Sequence, residues 1–133
     1  MTIEQEDREN LILYRLEQAE ETIIDVKLLI DNHRFRSAVN RIYYGMFYSL
    51  LALGLAYEFE TSKHTQLIGW FNKTFVHGGL IDPKYGKIIN KAYNRRTKGD
   101  YDIYMEFEKE IVMGMFEEMK EFISVIKSYL GKN

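Results

Sequence analysis

Residues 34–57 read RFRSAVNRIYYGMFYSLLALGLAY, and their apolar side chains recur at the spacing of an α-helix. One stripe recurs every three or four residues and consists of Val39, Tyr43, Met46, Leu50, Leu53 and Tyr57. A second stripe fills much of the remaining circumference and consists of Ala38, Ile42, Phe47, Leu51 and Leu55. A helix that is apolar nearly all round is typical of the buried centre of a bundle. We therefore expect a central helix from Arg34 to about Tyr57.

Two further apolar stripes predict long helices on either side of this segment. The first precedes it, ends at Asp31-Asn32-His33, and contains Ile12, Leu16, Ala19, Ile23, Val26 and Ile30. The second lies near the end of the chain and contains Val112, Phe116, Met119, Ile123, Ile126 and Leu130. We expect Asp100 or Asp102 to cap this last helix, because carboxylates accept hydrogen bonds from free N-terminal amides.

Two shorter helices are predicted between residues 62 and 99. Thr61 or Ser62 is positioned to cap the first, which ends at Gly78-Gly79. Its inward face is expected to contain His64, Leu67, Ile68, Phe71 and Phe75. Asp82-Pro83 marks the start of the second, which is expected to end near Lys98 because Gly99 follows. The pattern predicts an all-α, up-and-down bundle of about five helices.

Composition places the chain among soluble single-domain proteins. It has 133 residues, 46% of them apolar, and no interruption long enough to divide it, so we expect one domain over residues 1–133. The absence of cysteine excludes a disulfide scaffold, a cysteine zinc site and a cysteine nucleophile. The first ten residues are acidic, and no apolar run approaches the ~20 residues that span a bilayer. These features predict a cytoplasmic protein without a membrane segment.

Charge is distributed unevenly along the chain. Residues 1–32 carry nine acidic and three basic side chains, residues 33–101 four and eleven, and residues 102–133 seven and four. A basic middle between two acidic ends predicts that any anionic ligand binds the middle. The alternative is that acidic and basic helices pair across the bundle.

The central helix carries one polar face that is a candidate binding site. Ser37, Arg41, Tyr44 and Tyr48 follow one another at spacings of four, three and four residues. The planar guanidinium of arginine matches the geometry of phosphate or carboxylate, so this face is a candidate anion site. The alternative is a structural ion pair between Arg41 and a carboxylate such as Asp100.

A second candidate stretch follows at the end of the fourth helix. It places Arg95, Arg96, Asp100 and Tyr101 at a helix end and in the loop after it, where functional residues concentrate. The alternative is ordinary helix termination, in which basic side chains satisfy the helix dipole. Helix termination alone, however, does not require two adjacent arginines, so it leaves the pair Arg95-Arg96 unexplained.

The three histidines are single candidates rather than a metal site. His64 could serve as an acid or base near neutral pH, although it shares a face with Ile68, Phe71 and Phe75, as a core histidine would. His77 precedes Gly78-Gly79 and is expected to cap carbonyls. No pair of histidines stands at metal-ligand spacing, and no P-loop is present, so we expect no metal and no cofactor.

Three pieces of the sequence resemble the HEPN superfamily, in particular its small stand-alone branch, uncharacterised protein family 0332. They are residues 35–48, Ser62-Lys-His64, and the stretch from Arg96 to Asp102. The resemblance implies a five-helix bundle, homodimerisation, and a minimal nucleotidyltransferase as partner in a toxin–antitoxin or defence module. Tyr101 would be the natural acceptor if such a partner modifies this chain.

The resemblance also implies a comparison with the metal-independent ribonucleases of the superfamily. These use an arginine and, after four to six intervening residues, a histidine, to stabilise phosphate charge and to transfer protons. None of His33, His64 or His77 has an arginine at that distance. Arg96 stands where the family's arginine stands, and His64 would have to approach from another helix. Loss of catalysis with retained nucleotide or RNA binding is the simpler interpretation.

We therefore expect a polar cleft built by two helices, with Arg41, Tyr44, Tyr48, Arg95, Arg96, Asp100 and Tyr101 as ligand-binding residues. Arg41 and Arg96 would hold phosphate, and Tyr44 or Tyr101 would stack on a base or hydrogen-bond to it. Nucleotide or RNA binding is the predicted function. A ribonuclease toxin, with Arg96 and His64 as catalytic candidates, and a non-catalytic dimeric interaction module are the alternatives. Surplus exposed side chains also predict a homodimer: Phe47, Tyr48, Met105, Met113 and Met115.

Overall fold

Five α-helices dominate the computed structural model, which describes residues 3–132. In chain order they are α1 (Ile3–Asp31), α2 (Phe35–Ala56), α3 (His64–Phe71), α4 (Pro83–Tyr101) and α5 (Lys109–Tyr129). A single turn of π-helix, Asn72–Val76, continues α3 directly. Residues 3–132 contain no β-strand. The predicted all-α bundle of five helices is confirmed.

The central position of α2 follows from its apolar circumference. Both of its stripes are largely buried, and Ala38, Ile42, Tyr43, Leu50 and Leu53 have essentially no accessible surface. Because α2 has almost no polar side to turn toward water, it packs against α1, α3, α4 and α5. The prediction of a buried central helix is confirmed.

The long helices α1 and α5 lie against α2 through the predicted stripes. On α1, Ile12, Leu16, Ala19, Val26 and Ile30 are buried, and Ile23 is half-buried. On α5 the buried residues include Val112, Phe116, Met119, Ile123 and Ile126. Each fully buried side chain of this size contributes about 2 kcal/mol through the loss of its contact with water. These stripes therefore hold the three long helices together.

One predicted helix start is confirmed and another is wrong. Asp82 caps α4, where its Oδ1 accepts a hydrogen bond from the Lys84 N–H at 2.9 Å, and Pro83 is the first helical residue. The cap of α3 is Lys63, which makes no side-chain capping bond. Thr61 lies too early in the chain to cap α3. Its hydroxyl shapes the preceding turn instead, accepting from the Lys63 N–H at 3.1 Å.

The predicted junction between the last two helices is also wrong. α4 does not end at Gly99 but continues to Tyr101, and α5 begins at Lys109, after Glu108 rather than after Asp100 or Asp102. Gly99 is buried inside α4, where an added Cβ would lie 3.1 Å from the Phe107 ring. The glycine is therefore needed for close packing, and it does not break the helix.

Arg36, near the start of α2, holds the connection between α4 and α5. Its guanidinium donates hydrogen bonds to the carbonyls of Gly99 and Asp102, and to those of Ile103 and Met105. These carbonyls lie at the end of α4 and in the connection after it, where the regular hydrogen bonds of a helix interior end; that of Asp102 also accepts from the Met105 N–H. The side chain of Arg36 thus supplies donors to a segment that has few backbone ones.

Most of the five apolar side chains that the sequence predicts to be exposed are buried or half-buried. Phe47 is 5% exposed and Met115 is 3% exposed, so both belong to the core. Tyr48 and Met105 are half-buried, and Met113 alone of the five is well exposed. The sequence pattern did not reveal these two burials, because they depend on how the helices pack. Phe47 is covered by α3, and Met115 is covered by α2 and α4 together.

Ion pairs neutralise part of the basic middle of the chain. Lys84 and Lys91 of α4 pair with Glu121 and Glu118 of α5, with N–O distances of 2.5 and 3.0 Å. Acidic and basic helices thus do pair across this side of the bundle. Arg41 and Arg96 take no part in these two ion pairs. Along residues 3–132, no helix is long and apolar enough to span a bilayer.

Candidate anion-binding site

Side chains from α2, α3 and α4 meet around the guanidinium of Arg96. Its carbon Cζ lies 4.9 Å from the centroid of the Tyr43 ring and 5.3 Å from that of Tyr93. The Tyr44 ring is 5.6 Å away. Ring faces attract a cation through their quadrupole, so three tyrosines replace part of the hydration that Arg96 loses.

Arg96 keeps unused hydrogen-bonding capacity in this environment. Its side chain is 15% exposed, and its Nη1 lies 3.3 Å from Oδ2 of Asp100, one helical turn later. Its Nε is buried without a hydrogen-bond partner among the described residues. An unpaired buried donor is costly, and an incoming acceptor would remove that cost.

His64, the first residue of α3, lies in the same cluster. Its Nδ1 is 2.6 Å from the hydroxyl of Tyr43, and its ring stacks on Phe47 at a centroid distance of 4.0 Å. Burial and the positive charge of Arg96 hold the pKa of His64 below its usual 6.5. At neutral pH the imidazole is therefore uncharged.

Tyr43 links the histidine to the arginine from the interior of the bundle. It is fully buried, and burial raises the pKa of its phenol well above the usual 10.0, although Arg96 opposes that shift. The phenol oxygen is hydrogen-bonded to His64, and the Arg96 guanidinium lies over the ring of Tyr43. The phenol thus stays protonated at any physiological pH.

The cluster opens to the surface through a depression of about 310 Å³. Its lining consists of His64, Thr65, Tyr93, Arg96, Thr97 and Tyr101. Tyr101 stands at its edge and is 83% exposed. A volume of this size accommodates a phosphate group together with part of a sugar or base.

The polar face of α2 borders this cluster. Arg41 lies over the Tyr44 ring at 4.7 Å and donates from Nε to Oδ1 of Asn40 at 3.2 Å. Tyr48 continues the same face, with its ring 6.2 Å from that of Tyr44. Arg41 and Arg96 thus lie over the same ring, that of Tyr44, whereas Arg41, Tyr44 and Tyr48 are not among the groups lining the depression.

The alternative of a structural ion pair between Arg41 and Asp100 is wrong. Asp100 pairs with Arg96, which lies on the same helix four residues earlier. Arg41 is half-buried and contacts an aromatic ring and an amide instead. Its charge is therefore not neutralised by a carboxylate within the described part of the chain.

Arg95 does not join the other predicted residues. It borders a small void on another side of α4, where Ile88, Met115 and Glu118 also lie. Adjacent residues of a helix point about 100° apart, so Arg95 and Arg96 cannot both face the depression. The exposed side chain of Ser37, at the start of the polar face, is not among the groups lining it either.

Sequence reasoning missed the tyrosines that complete the cluster. Tyr43 belongs to the buried stripe of α2, and that pattern identifies its ring as core without revealing its hydroxyl. Tyr93 precedes Arg96 by three residues, a spacing that places both on one helical face. That spacing was the available signal for Tyr93.

The described residues offer no ready site for a metal ion. Across positions 3–132, no three side chains among His, Cys, Asp and Glu are grouped closely enough to hold one. The groups around Arg96 are phenols, the imidazole of His64 and the carboxylate of Asp100.

Comparisons with known proteins place the chain in a family. The model of the HEPN domain matches residues 12–129. A UPF0332 protein of Thermotoga maritima is 38% identical over 124 residues, which are 93% of this chain and 94% of the relative. A protein of Methanocaldococcus jannaschii named "Putative toxin MJ0605" is 38% identical over 115 residues, 86% of this chain and 85% of the relative. With a match over most of its length and relatives of nearly equal extent, this chain belongs to the HEPN domain family.

Proposed function

We propose that this protein binds the phosphate groups of RNA or of a nucleotide at the Arg96 cluster, as part of a toxin-type module. The observation that carries the proposal is the state of Arg96. Arg96 is a cation packed against three tyrosine rings, its Nε has no partner among the described residues, and its side chain lines an open depression. Arginine in such a setting is suited to bind an anion through several donors at once.

The charge balance around the depression supports an anionic ligand. Arg96 lines the depression and pairs with Asp100, and the neutral His64 adds no charge. Arg41 lies on the adjoining face of α2, against Tyr44, and has no carboxylate partner among the described residues. Lys84 and Lys91 of α4 form ion pairs with glutamates of α5, so these lysines do not compete for the ligand. The exposed ring of Tyr101 offers a stacking surface beside the phosphate position.

Metal-independent cleavage of RNA is the second candidate function. The observation that favours it is that His64 lines the same depression as Arg96, although the two residues come from different helices. An imidazole next to a guanidinium is a suitable pair for proton transfer and phosphate stabilisation. Both functions use the same site and differ in whether turnover occurs.

The proposed module includes a second protein. Two relatives, both from Methanocaldococcus jannaschii, carry names that describe toxins. The resemblance to stand-alone HEPN proteins adds the expectation of a minimal nucleotidyltransferase partner. Co-purification of this chain with a minimal nucleotidyltransferase, followed by assays of RNA binding and cleavage, would test that association.

The experiment is an incubation of end-labelled single-stranded RNA with the protein in EDTA, analysed for both band shift and cleavage. We compare wild type with Arg96→Ala and His64→Ala, and we use Lys91→Ala as the control. The control removes one positive charge from the same helix, but from a lysine paired with Glu118. Circular dichroism of each variant verifies folding.

A shift that Arg96→Ala abolishes and Lys91→Ala preserves supports binding at this site. Cleavage that requires both Arg96 and His64 supports the ribonuclease instead. Equal shifts for Arg96→Ala and Lys91→Ala would show general electrostatic attraction and would contradict the proposed site. If the RNA is neither shifted nor cleaved, both functions are rejected, and a non-catalytic interaction module is the remaining alternative.

A further inference from the structure

We propose that Tyr43 is a positioning residue that holds the imidazole of His64 with its proton on Nε2, so that His64 offers a hydrogen-bond donor beside Arg96. The acceptor would be a phosphate oxygen of the ligand. This inference rests on the proposed function for its ligand, but the state of His64 can be measured without any ligand.

The direction of the Tyr43–His64 hydrogen bond follows from what surrounds the phenol. The oxygen and Nδ1 lie 2.6 Å apart, so one of them donates and the other accepts. Tyr43 is fully buried, and its other neighbours are the rings of Tyr44, Phe47 and Tyr93 and the guanidinium of Arg96. Among the described residues, the Tyr43 hydroxyl has no hydrogen-bond partner other than Nδ1 of His64. Rings are poor acceptors, and a guanidinium has donors only. The phenol hydrogen therefore has Nδ1 as its acceptor.

The positive charge of Arg96 favours the same arrangement. Its guanidinium lies over the Tyr43 ring and lowers the pKa of both the phenol and His64. A phenol beside a cation is a better hydrogen-bond donor, and an imidazole beside a cation holds a second proton less well. If Nδ1 were the donor instead, the buried phenol hydrogen would be left without a partner.

The pKa values of both groups are consistent with this geometry. Burial raises the pKa of Tyr43, so the phenol retains the hydrogen that it donates. Burial and Arg96 lower the pKa of His64, so the ring is neutral and carries a single N–H at pH 7. Since Nδ1 is an acceptor, that N–H is on Nε2.

The tautomer determines what His64 can do chemically. An Nε2–H group can donate to a phosphate oxygen, but Nε2 cannot take a proton from a ribose hydroxyl. The Tyr43–His64 pair thus favours binding of phosphate over base-catalysed cleavage. It also gives a role to Tyr43, which has no direct access to the depression.

The first test is a long-range ¹H–¹⁵N NMR spectrum of the full chain labelled with [¹⁵N]histidine, recorded at pH 7 without ligand. We expect His64 to show a protonated Nε2 and an unprotonated, hydrogen-bonded Nδ1. Tyr43→Phe should shift the Nδ1 resonance toward that of a free acceptor. Tyr93→Phe is the matched control, because it removes a phenol next to Arg96 without removing the bond to His64. A proton on Nδ1 in the wild type would overturn the proposal.

The second test adds a short single-stranded RNA to the same samples. We expect the His64 Nε2 resonance to shift on binding, and Tyr43→Phe to weaken binding about fivefold, the equivalent of one hydrogen bond. RNA that binds and leaves Nε2 unchanged would overturn the donor role of His64. RNA that leaves the whole site unchanged would reject the proposed function, a result distinct from the wrong tautomer.

Discussion

At the scale of the residue, Arg96 shows how a charge is retained in an aromatic setting. Water is largely removed from its side chain, and ring faces and one carboxylate take its place. The same lack of water makes any further interaction with an anion stronger, because the local dielectric is low. Arg96 is thus packed into the structure and is also able to bind an anion strongly.

The lowered pKa of His64 predicts a pH dependence of stability. The unfolded chain binds a proton at His64 with the usual pKa of 6.5, whereas the folded chain binds it at lower pH. Between these two values the unfolded state holds more protons, so the free energy of unfolding falls as pH falls through that window. Below the folded-state pKa the loss levels off.

Urea unfolding at pH 7.5 and 5.5 measures this effect. His64→Gln is the comparison, because glutamine has no titration in this range. We expect the wild type to lose more stability than His64→Gln between the two pH values. An equal loss in both proteins would show that His64 titrates alike in the folded and unfolded chains.

Sequence analysis found the charged members of the site better than the buried ones. Arg41, Tyr44 and Arg96 stand out because polar groups interrupt apolar helices at regular spacing. Tyr43 does not stand out, because its position in the apolar stripe explains its ring completely. The sequence raised the approach of His64 to Arg96 only as a hypothesis without support from spacing, since it depends on how α3 packs against α4.

At the scale of the element, glycines mark where α2 approaches its neighbours. A Cβ added at Gly54 would lie 2.6 Å from the carbonyl oxygen of Phe59, in the connection that leads to α3. This oxygen belongs to backbone and cannot move aside cheaply. Gly69, in α3, has nothing within 4 Å of such a Cβ.

The two glycines therefore predict opposite effects of the same substitution. We expect Gly54→Ala to lower the free energy of unfolding by about 1–3 kcal/mol through overpacking. We expect Gly69→Ala to raise it by about 0.5–1 kcal/mol, because alanine favours the helix. Denaturant unfolding of both variants measures the difference, and a stabilising Gly54→Ala would contradict the close approach.

Helix existence was predictable from periodicity, whereas several helix ends were not. The stripes of α1, α2 and α5 extend over many turns, so each adds independent support to its helix. An end depends on one or two residues whose role changes with their neighbours. Gly99 is typical of a helix end in isolation, but Phe107 packs against it and α4 continues.

At the scale of the whole molecule, exposed apolar side chains on α1 favour the homodimer that the sequence predicts. Leu13, Tyr14, Ile24 and Leu28 are each about half or more exposed, and Met113 of α5 is similar. Exposed apolar groups concentrated in this way are typical of an interface. The support comes from α1 rather than from Phe47 and Met115, which are buried.

Sedimentation velocity at micromolar concentration tests this assembly. We expect a dimer for the wild type and a monomer for Ile24→Lys combined with Leu28→Glu, since both changes place charge in the interface. Leu80→Glu, at an exposed position between the π-helical turn and α4, is the control and should remain dimeric. A monomeric wild type would contradict the predicted homodimer.

The hold of Arg36 on the α4–α5 connection has a consequence for how the protein can diversify. Its guanidinium recognises only main-chain carbonyls, which every amino acid supplies. The side chains of Ile103 and Tyr104 are exposed and take no part in this hold. Their identity is thus free to vary while the path of the chain is kept. Substitutions at these two exposed positions can therefore change the surface of the α4–α5 connection without disturbing the hydrogen bonds that hold it.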